Sequence, residues 1–211
     1  STAVAWIHLD HGSLDEVYEA IRLGCDSVMF DGAHLSLEEN ISATRHVVEI
    51  AHAYGIPVEA ELGRIPDVGA AVDWSAYMTD PDEAARFVRE TGVDWLAVSV
   101  GVVHGVAEGL GSQVDIDRVR EIHEATGIPL VLHGVSGLPD DVIRASVAAG
   151  IHKLNLDTDL RAAYRAGMLE TWRDPDASLE AALTSGRQHM QAETVAKMRV
   201  YGCAGRVGAT A

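Results

Sequence analysis

Six short apolar runs alternate along the chain with stretches whose apolar residues recur at helical spacing. The runs are Ala3–Leu9, Ser27–Phe30, Ile56–Leu62, Val93–Val100, Ile128–Leu132 and Ile151–Leu156. They are brief and largely apolar rather than alternating, as strands covered on both faces must be. Between them, Leu14, Val17, Ala20 and Ile21 fall on one helical face, then Val47, Val48 and Ala51, then Ala84, Ala85 and Val88. Val119 and Ile122 follow, then Val142, Ile143 and Val147. After the sixth run the pattern is helical, Asp159–Trp172 and Leu179–Tyr201, broken by the polar stretch Arg173–Ser178. The least regular stretch is Arg64–Tyr77, a long loop after the third run; such loops in compact domains often serve as lids or are disordered.

Start and stop signals agree with this division. Ser13 and Ser36 can cap helices, and Glu39 stands three residues after Ser36, the spacing of a capping box. Asp80-Pro81 puts a capping carboxylate ahead of a first-turn proline. Gly24, Gly55, Gly92, Gly127 and Gly150 stand where each helix must end and turn into the next strand. Strict β–α alternation predicts a mostly parallel sheet with right-handed crossovers. An open doubly wound sheet would gather its site at one switch point. Here polar residues stand at or just past every strand end: His11, Asp31, Glu61, His104, His133, then Asn155 and Asp157. A closed (β/α)₈ barrel brings all those ends around one mouth. The expected architecture is therefore an α/β TIM barrel, one domain over residues 1–211. Six strands are visible and eight are needed, so this reading expects two further β/α units ahead of Ser1.

Composition narrows the partners. With 211 residues and 47% hydrophobic content the chain can bury one sizeable core. No apolar run approaches the roughly 20 residues that cross a bilayer, and no signal-peptide pattern opens the chain. The formal charge of −16 disfavours nucleic acid, whose binding needs basic surface to displace counterions. A phosphorylated ligand would have to be neutralised locally. Cys25 and Cys203 lie far apart and form no CxxC, which fits a reduced, cytoplasmic setting.

Candidate chemistry lies at the strand ends. His11, His104 and His133 are each followed by glycine, and three imidazoles with an open fourth position make a catalytic zinc site. Asp10, beside His11, suits general acid–base work; it equally suits capping the helix that opens at Ser13. His8 shares its strand face and reads as support. Asp31, Glu59 and Glu61 end two apolar runs, where a carboxylate needs a partner or a metal. They can bind a second cation, orient histidines from behind, or reach solvent at the rim. The Gly-rich turn His133–Gly137 runs into a helix, and the next βα loop, Asn155–Thr158, opens another. Backbone N–H groups and helix ends placed so form a phosphate cradle, and barrel phosphate sites commonly use the loops after strands seven and eight.

These residues resemble the class II, zinc-dependent ketose-bisphosphate aldolases, the fructose- and tagatose-bisphosphate aldolase family. The markers are HLDHG at His8–Gly12, SVMFDG at Ser27–Gly32, LEENI at Leu37–Ile41, EAELG at Glu59–Gly63 and TDP at Thr79–Pro81. TGVDWLAVSVG at Thr91–Gly101, HG at His104–Gly105, PLVLHGVSG at Pro129–Gly137, KLNLDTDL at Lys153–Leu160 and YGCAGR at Tyr201–Arg206 complete them. Val135 stands where the family's usual HGGSG has its second glycine. The resemblance implies that Asp10 is the catalytic acid/base and that His11, His104 and His133 bind Zn²⁺. It implies that Asp31 and Glu61 match positions that hold a second cation in some members. Gly105, Gly134, Val135, Ser136, Asn155, Leu156, Asp157 and Thr158 match the dihydroxyacetone-phosphate contacts. The implied activity is aldol cleavage or condensation of a ketose phosphate or bisphosphate in carbohydrate metabolism such as glycolysis, by a cytoplasmic homodimer or homotetramer. Two other readings stand beside it. One is a non-catalytic homologue that serves as a stabilising or regulatory subunit. The other is a metal-dependent barrel hydrolase, which needs an activated water and no phosphate cradle.

Overall fold

The structure, a computed structural model, describes residues 5–63, 77–102 and 114–206. Among these, six parallel strands lie in unbroken order: β1 His8–Gly12, β2 Ser27–Phe30, β3 Val58–Leu62, β4 Trp95–Val98, β5 Leu130–Leu132 and β6 Ile151–Leu154. Helices α1 Leu14–Leu23, α2 Leu37–Ala53, α3 Pro81–Thr91, α4 Ile116–Thr126 and α5 Asp140–Ala149 alternate with them. A helical hairpin, α6 Thr158–Thr171 and α7 Leu179–Val200, follows β6.

The apolar runs are covered on both sides, as their lack of alternation requires. On the helix side Val28, Val58, Leu96 and Leu130 pack beneath Val17, Val47, Phe87, Ile122 and Ile143, all buried. On the other side Met29, Ala97 and Val131 form a smaller inner core with Trp95. The helix boundaries follow the predicted chemistry. Ser13 with Glu16 and Ser36 with Glu39 both close capping boxes, and Asp80 accepts from the N–H groups of Asp82 and Glu83 ahead of α3. All five glycines expected to end helices have positive φ.

A flat sheet would hold β1 and β6 about 24 Å apart, five strand spacings of ~4.8 Å. Instead Asn155, just past β6, donates to Asp10 of β1 at 2.9 Å, and His133 at the end of β5 meets His11 at 2.9 Å. The sheet is curled, with the inner core on its concave face and the strand C-termini gathered at one mouth. This is (β/α)-barrel geometry, of which the described residues supply six strands.

The first strand departs from its expected span. Pairing among the described residues begins at His8 and continues through Gly12, past the expected end at Leu9, while Ala3 and Val4 of the expected run lie outside the described residues. Trp6 and Ile7 are 58% and 68% exposed; the Ile7 backbone is tied to Asp26 at 2.7 and 2.8 Å instead of joining a ladder. Apolar character alone drew the earlier start.

Within β1 the steps are uneven. Leu9 to Gly12 spans three residues while their partners Val28 to Phe30 span two. One residue is extra, a β-bulge, and His11 absorbs it at φ 50, the one non-glycine residue with positive φ among the described residues. Leu9 keeps its side chain in the outer core, while consecutive residues Asp10 and His11 both reach the mouth. A second shift falls in β6, where Ile151 pairs with Leu130 and Lys153 with Val131, so that His152 is extra. Gly12 seats the first bulge. A Cβ there would lie 2.6 Å from Leu9 Cδ2 and 3.0 Å from both Val17 Cγ2 and the Met29 carbonyl oxygen. Gly12→Ala is expected to cost about 1–3 kcal/mol, seen as a lower urea midpoint; an unchanged midpoint would refute this packing.

Candidate active site and metal centre

The bulge and the end of β5 set two imidazoles against each other. The rings of His11 and His133 meet edge to face, with Nε2 of His11 2.9 Å from Nδ1 of His133. Each ring is held from behind by a carboxylate: His11 Nδ1 donates to Asp31 Oδ2 at 2.8 Å, and His133 Nε2 donates to Glu59 Oε1 at 2.9 Å. A neutral imidazole has one N–H. Once that N–H serves the carboxylate, the opposite nitrogen presents a lone pair. Two lone pairs aimed across 2.9 Å require a positive charge between or beside them. Carboxylates placed so commonly set the tautomer of metal-binding histidines, and imidazoles suit zinc. The donor set therefore fits a metal ion. Without metal the same demand shows in the proton affinity of His11. The hydrogen bond to Asp31 raises its pKa against the opposing effect of burial, and the same bond holds Asp31 below its ordinary value.

Three clusters bring ligand atoms within 4.8 Å of one another: Asp10–His11–His133, His11–Asp31–Glu61 and His8–Asp10–Glu59. The first holds two of the three expected zinc ligands, His11 and His133, beside Asp10, and the second holds both expected second-cation residues, Asp31 and Glu61, beside His11. In the third, Lys153 Nζ lies 2.8 Å from Glu59 Oε2 and already supplies the positive charge. His104 and Gly105 lie outside the described residues, as does all of the expected loop Arg64–Tyr77 except Tyr77.

The readings left open for the carboxylates now separate. Glu59 is fully buried, so the rim is not its place. Burial pushes its pKa up, but the His133 hydrogen bond and the charge of Lys153 outweigh that and hold it below its ordinary value. Asp10 does not cap α1, because Ser13 does; Asp10 Oδ1 accepts from Asn155 instead. His8 is supported by Ser27 at 2.8 Å and faces Glu59 at 3.6 Å. Glu61 is 3% exposed, and burial, reinforced by the charge of Asp31, pushes it up to about 8. In the metal-free fold Glu61 therefore keeps a proton that the unfolded chain releases above its ordinary carboxyl range. Its contribution to stability is present at low pH and is lost as pH rises toward 8. Metal-free protein should accordingly lose urea resistance between about pH 5 and 8, and Glu61→Gln should flatten that decline. An equal decline in the variant would exclude Glu61 as its source.

A cavity of about 570 Å³ opens above this floor, lined by Asp10, His11, His133, Gly134, Ser136 and Asn155–Thr158, with Lys153 and Arg161. Gly134 and Gly137 hold φ 63 and 77, left-handed values that glycine takes without strain. The Asp157 side chain that precedes α6 makes no cap to it, and the helix's N-terminal dipole favours an anion. The two loops are knitted together: Asp159 N–H donates to Ser136 Oγ and Gly137 N–H to Asp159 Oδ2, each at 3.3 Å. Val135 is placed differently from the other expected contacts. Its side chain is 1% exposed and packs in the outer core, so it can offer a ligand only backbone. Of the other described histidines, His34 shares a second cavity with His11 and Asp31, His52 pairs with Asp94, and the rings of His123 and His152 lie 5.5 Å apart, tilted by 45°.

Lys153 is the site residue that sequence reasoning passed over. Its signal was a lysine between Ile151 and Leu154 in a strand-like run, where a charge needs an acid opposite it.

Comparison with known proteins accords with this geometry. Residues 1–206 match the family described as fructose-bisphosphate aldolase class II. The chain is similar to the YdjI aldolase from Escherichia coli K12, at 33% identity and a TM-score of 0.81, over 95% of this chain and 70% of that one. It is also similar to a protein from Coccidioides immitis assigned as a fructose-1,6-biphosphate aldolase, at 32% identity and a TM-score of 0.85, over 96% of this chain and 72% of that one. A fructose-bisphosphate aldolase from Campylobacter jejuni shares the fold at 24% identity and a TM-score of 0.78, over 93% and 70% of the two chains.

Proposed function

The chain belongs to the class II fructose-bisphosphate aldolase family, and from that premise we propose that it is a zinc-dependent lyase. Its reaction is cleavage or condensation of a ketose phosphate or bisphosphate, with dihydroxyacetone phosphate and an aldehyde as the other partners. The carrying observation is the convergence of Asp10, His11 and His133 within 4.8 Å at the floor of a cavity walled by two anion-suited loops.

In this reading His11, His133 and His104 hold the zinc, and Asp31 and Glu61 can hold a second cation. When bound, zinc supplies a Lewis acid that stabilises negative charge on a substrate carbonyl oxygen. Asp10 takes the C4 hydroxyl proton in cleavage and returns it to the aldehyde oxygen in condensation. Asn155 fixes Asp10 Oδ1 by hydrogen bond, so proton transfer falls to Oδ2. Gly105, Gly134–Ser136 and Asn155–Thr158 hold the phosphate, Val135 through its backbone. A cytoplasmic homodimer or homotetramer, acting in carbohydrate metabolism, completes the proposal. No described helix is long and apolar enough to cross a membrane.

Purified zinc-loaded protein should release dihydroxyacetone phosphate from at least one member of a ketose phosphate panel, followed by a coupled reductase assay with metal analysis in parallel. Protein that holds stoichiometric zinc and leaves the whole panel intact would overturn the lyase reading in favour of a non-catalytic subunit.

A further inference from the structure

Lys153 touches both halves of the site. The register shift at His152 sets it opposite Val131 of the inner core, and its side chain is 29% exposed. Nζ lies 2.7 Å from Asn155 Oδ1 and 2.8 Å from Glu59 Oε2. Each contact decides the state of a second group.

The first decides an amide. With Oδ1 accepting from an ammonium, Asn155 presents Nδ2 on its other side, where it donates to Asp10 Oδ1 at 2.9 Å. The flipped amide would set NH₂ against NH₃⁺ and a carbonyl oxygen against a carboxylate, so both contacts would turn repulsive. The second decides a tautomer. Fully buried Glu59 faces a donor at each oxygen, the Lys153 ammonium at Oε2 and His133 Nε2 at Oε1. His133 then carries its proton on Nε2, where the Glu59 carboxylate at 2.9 Å outweighs the Asn155 Nδ2 donor at 3.2 Å, and leaves its lone pair on Nδ1, the nitrogen that faces His11.

We propose that Lys153 is a positioning residue that sets, through one ammonium, both the amide orientation of Asn155 and the tautomer of His133. Through the first it selects the oxygen of Asp10 that handles the proton. Through the second it aims the His133 lone pair. A residue that merely filled space would affect stability and leave both orientations unchanged. The kinetic consequence rests on the lyase reading; the two orientations do not, and they can be observed in metal-free protein.

The test uses Lys153→Met, which keeps the length and drops the charge, and Lys153→Ala. In metal-free, ¹⁵N-labelled protein the wild type should show His133 protonated at Nε2 and one set of Asn155 amide resonances. Lys153→Met should show mixed His133 tautomers and two Asn155 amide environments. In zinc-loaded enzyme Lys153→Met should lower kcat about 10–100-fold, the usual cost of losing a supporting partner, with KM near wild type. Ethylammonium should restore part of the kcat of Lys153→Ala, saturably, and leave the wild type unaffected. Lys153→Met that folds with wild-type His133 and Asn155 resonances would overturn the proposal, as would Lys153→Ala that ethylammonium does not restore in an otherwise active enzyme. A wild type that cleaves no ketose phosphate would defeat the lyase reading, and the resonances would still decide the role of Lys153.

Discussion

Asp10→Ala should retain zinc and lose turnover, with kcat lower by about 10²–10⁴-fold, the usual contribution of a positioned acid or base. The expectation rests on where the carboxylate sits. Asp10 shares a bulged strand end with His11 and lies within 4.8 Å of the ligand atoms of both His11 and His133. It makes no helix cap, so its removal leaves α1 with its Ser13–Glu16 box. Its one fixed oxygen is held by Asn155, which a proton-transfer group needs and a ligand does not. The variant should therefore fold, bind metal and bind ketose phosphate with KM near wild type. Equilibrium dialysis against zinc, read beside the cleavage assay, decides the assignment. Loss of zinc together with loss of turnover would make Asp10 a ligand.

His133→Ala should fail earlier, at metal binding. The ring is 1% exposed, and its Nδ1 is one of the two nitrogens aimed at the proposed metal position. Zinc affinity should fall by more than the roughly 10–100-fold that loss of a supporting partner costs. The variant also leaves Glu59 Oε1 without its donor in a fully buried place. An orphaned buried acceptor costs about 1–3 kcal/mol, so metal-free His133→Ala should unfold at lower urea than metal-free wild type. Glu59→Gln is the companion measurement. It keeps the ligand and removes the charge that fixes the tautomer, so its loss of zinc affinity should fall within that 10–100-fold range. Equal losses in the two variants would mean that His133 acts only through Glu59 and is not a ligand.

What could be read ahead of the structure, and what could not, divides along the range of the interaction. Ser13, Ser36 and Asp80 cap helices through atoms two or three residues away, and Gly24, Gly92 and Gly127 end helices within one turn. Such signals are local and were legible. The placement of His11 and His133 at one mouth was legible too, because strict β–α alternation leaves few ways to arrange strand ends. The bulge at His11 was not. A register shift belongs to a pair of strands, and nothing within HLDHG states how Val28 and Phe30 will align with it. Asp10 and His11 were both expected at the site, but the backbone that lets neighbours reach the mouth together could not be foreseen, since strict alternation forbids it. Glu59 and Lys153 were ambiguous singly, since each resembles a rim charge until the other is seen 2.8 Å away. Val135 was assigned by its neighbours in a Gly-rich turn; its side chain obeyed its hydrophobicity and turned into the core.

The curl of the sheet also places the site late in folding. Asp10 and Asn155 are 145 residues apart in the chain, and His11 and His133 are 122 apart. Contacts of such separation form only after the intervening loops have closed, an entropic cost that local caps and turns do not bear. During synthesis β1 emerges with Asp10 and His11 already in sequence, yet His133 and Asn155 do not face them until β5 and β6 have docked. A half-made chain can offer a metal the His11–Asp31–Glu61 group, not the Asp10–His11–His133 set. Metal capture by that set then marks the end of assembly and cannot nucleate it, so the rate at which zinc is taken up there by refolding protein should follow the docking of the last strands.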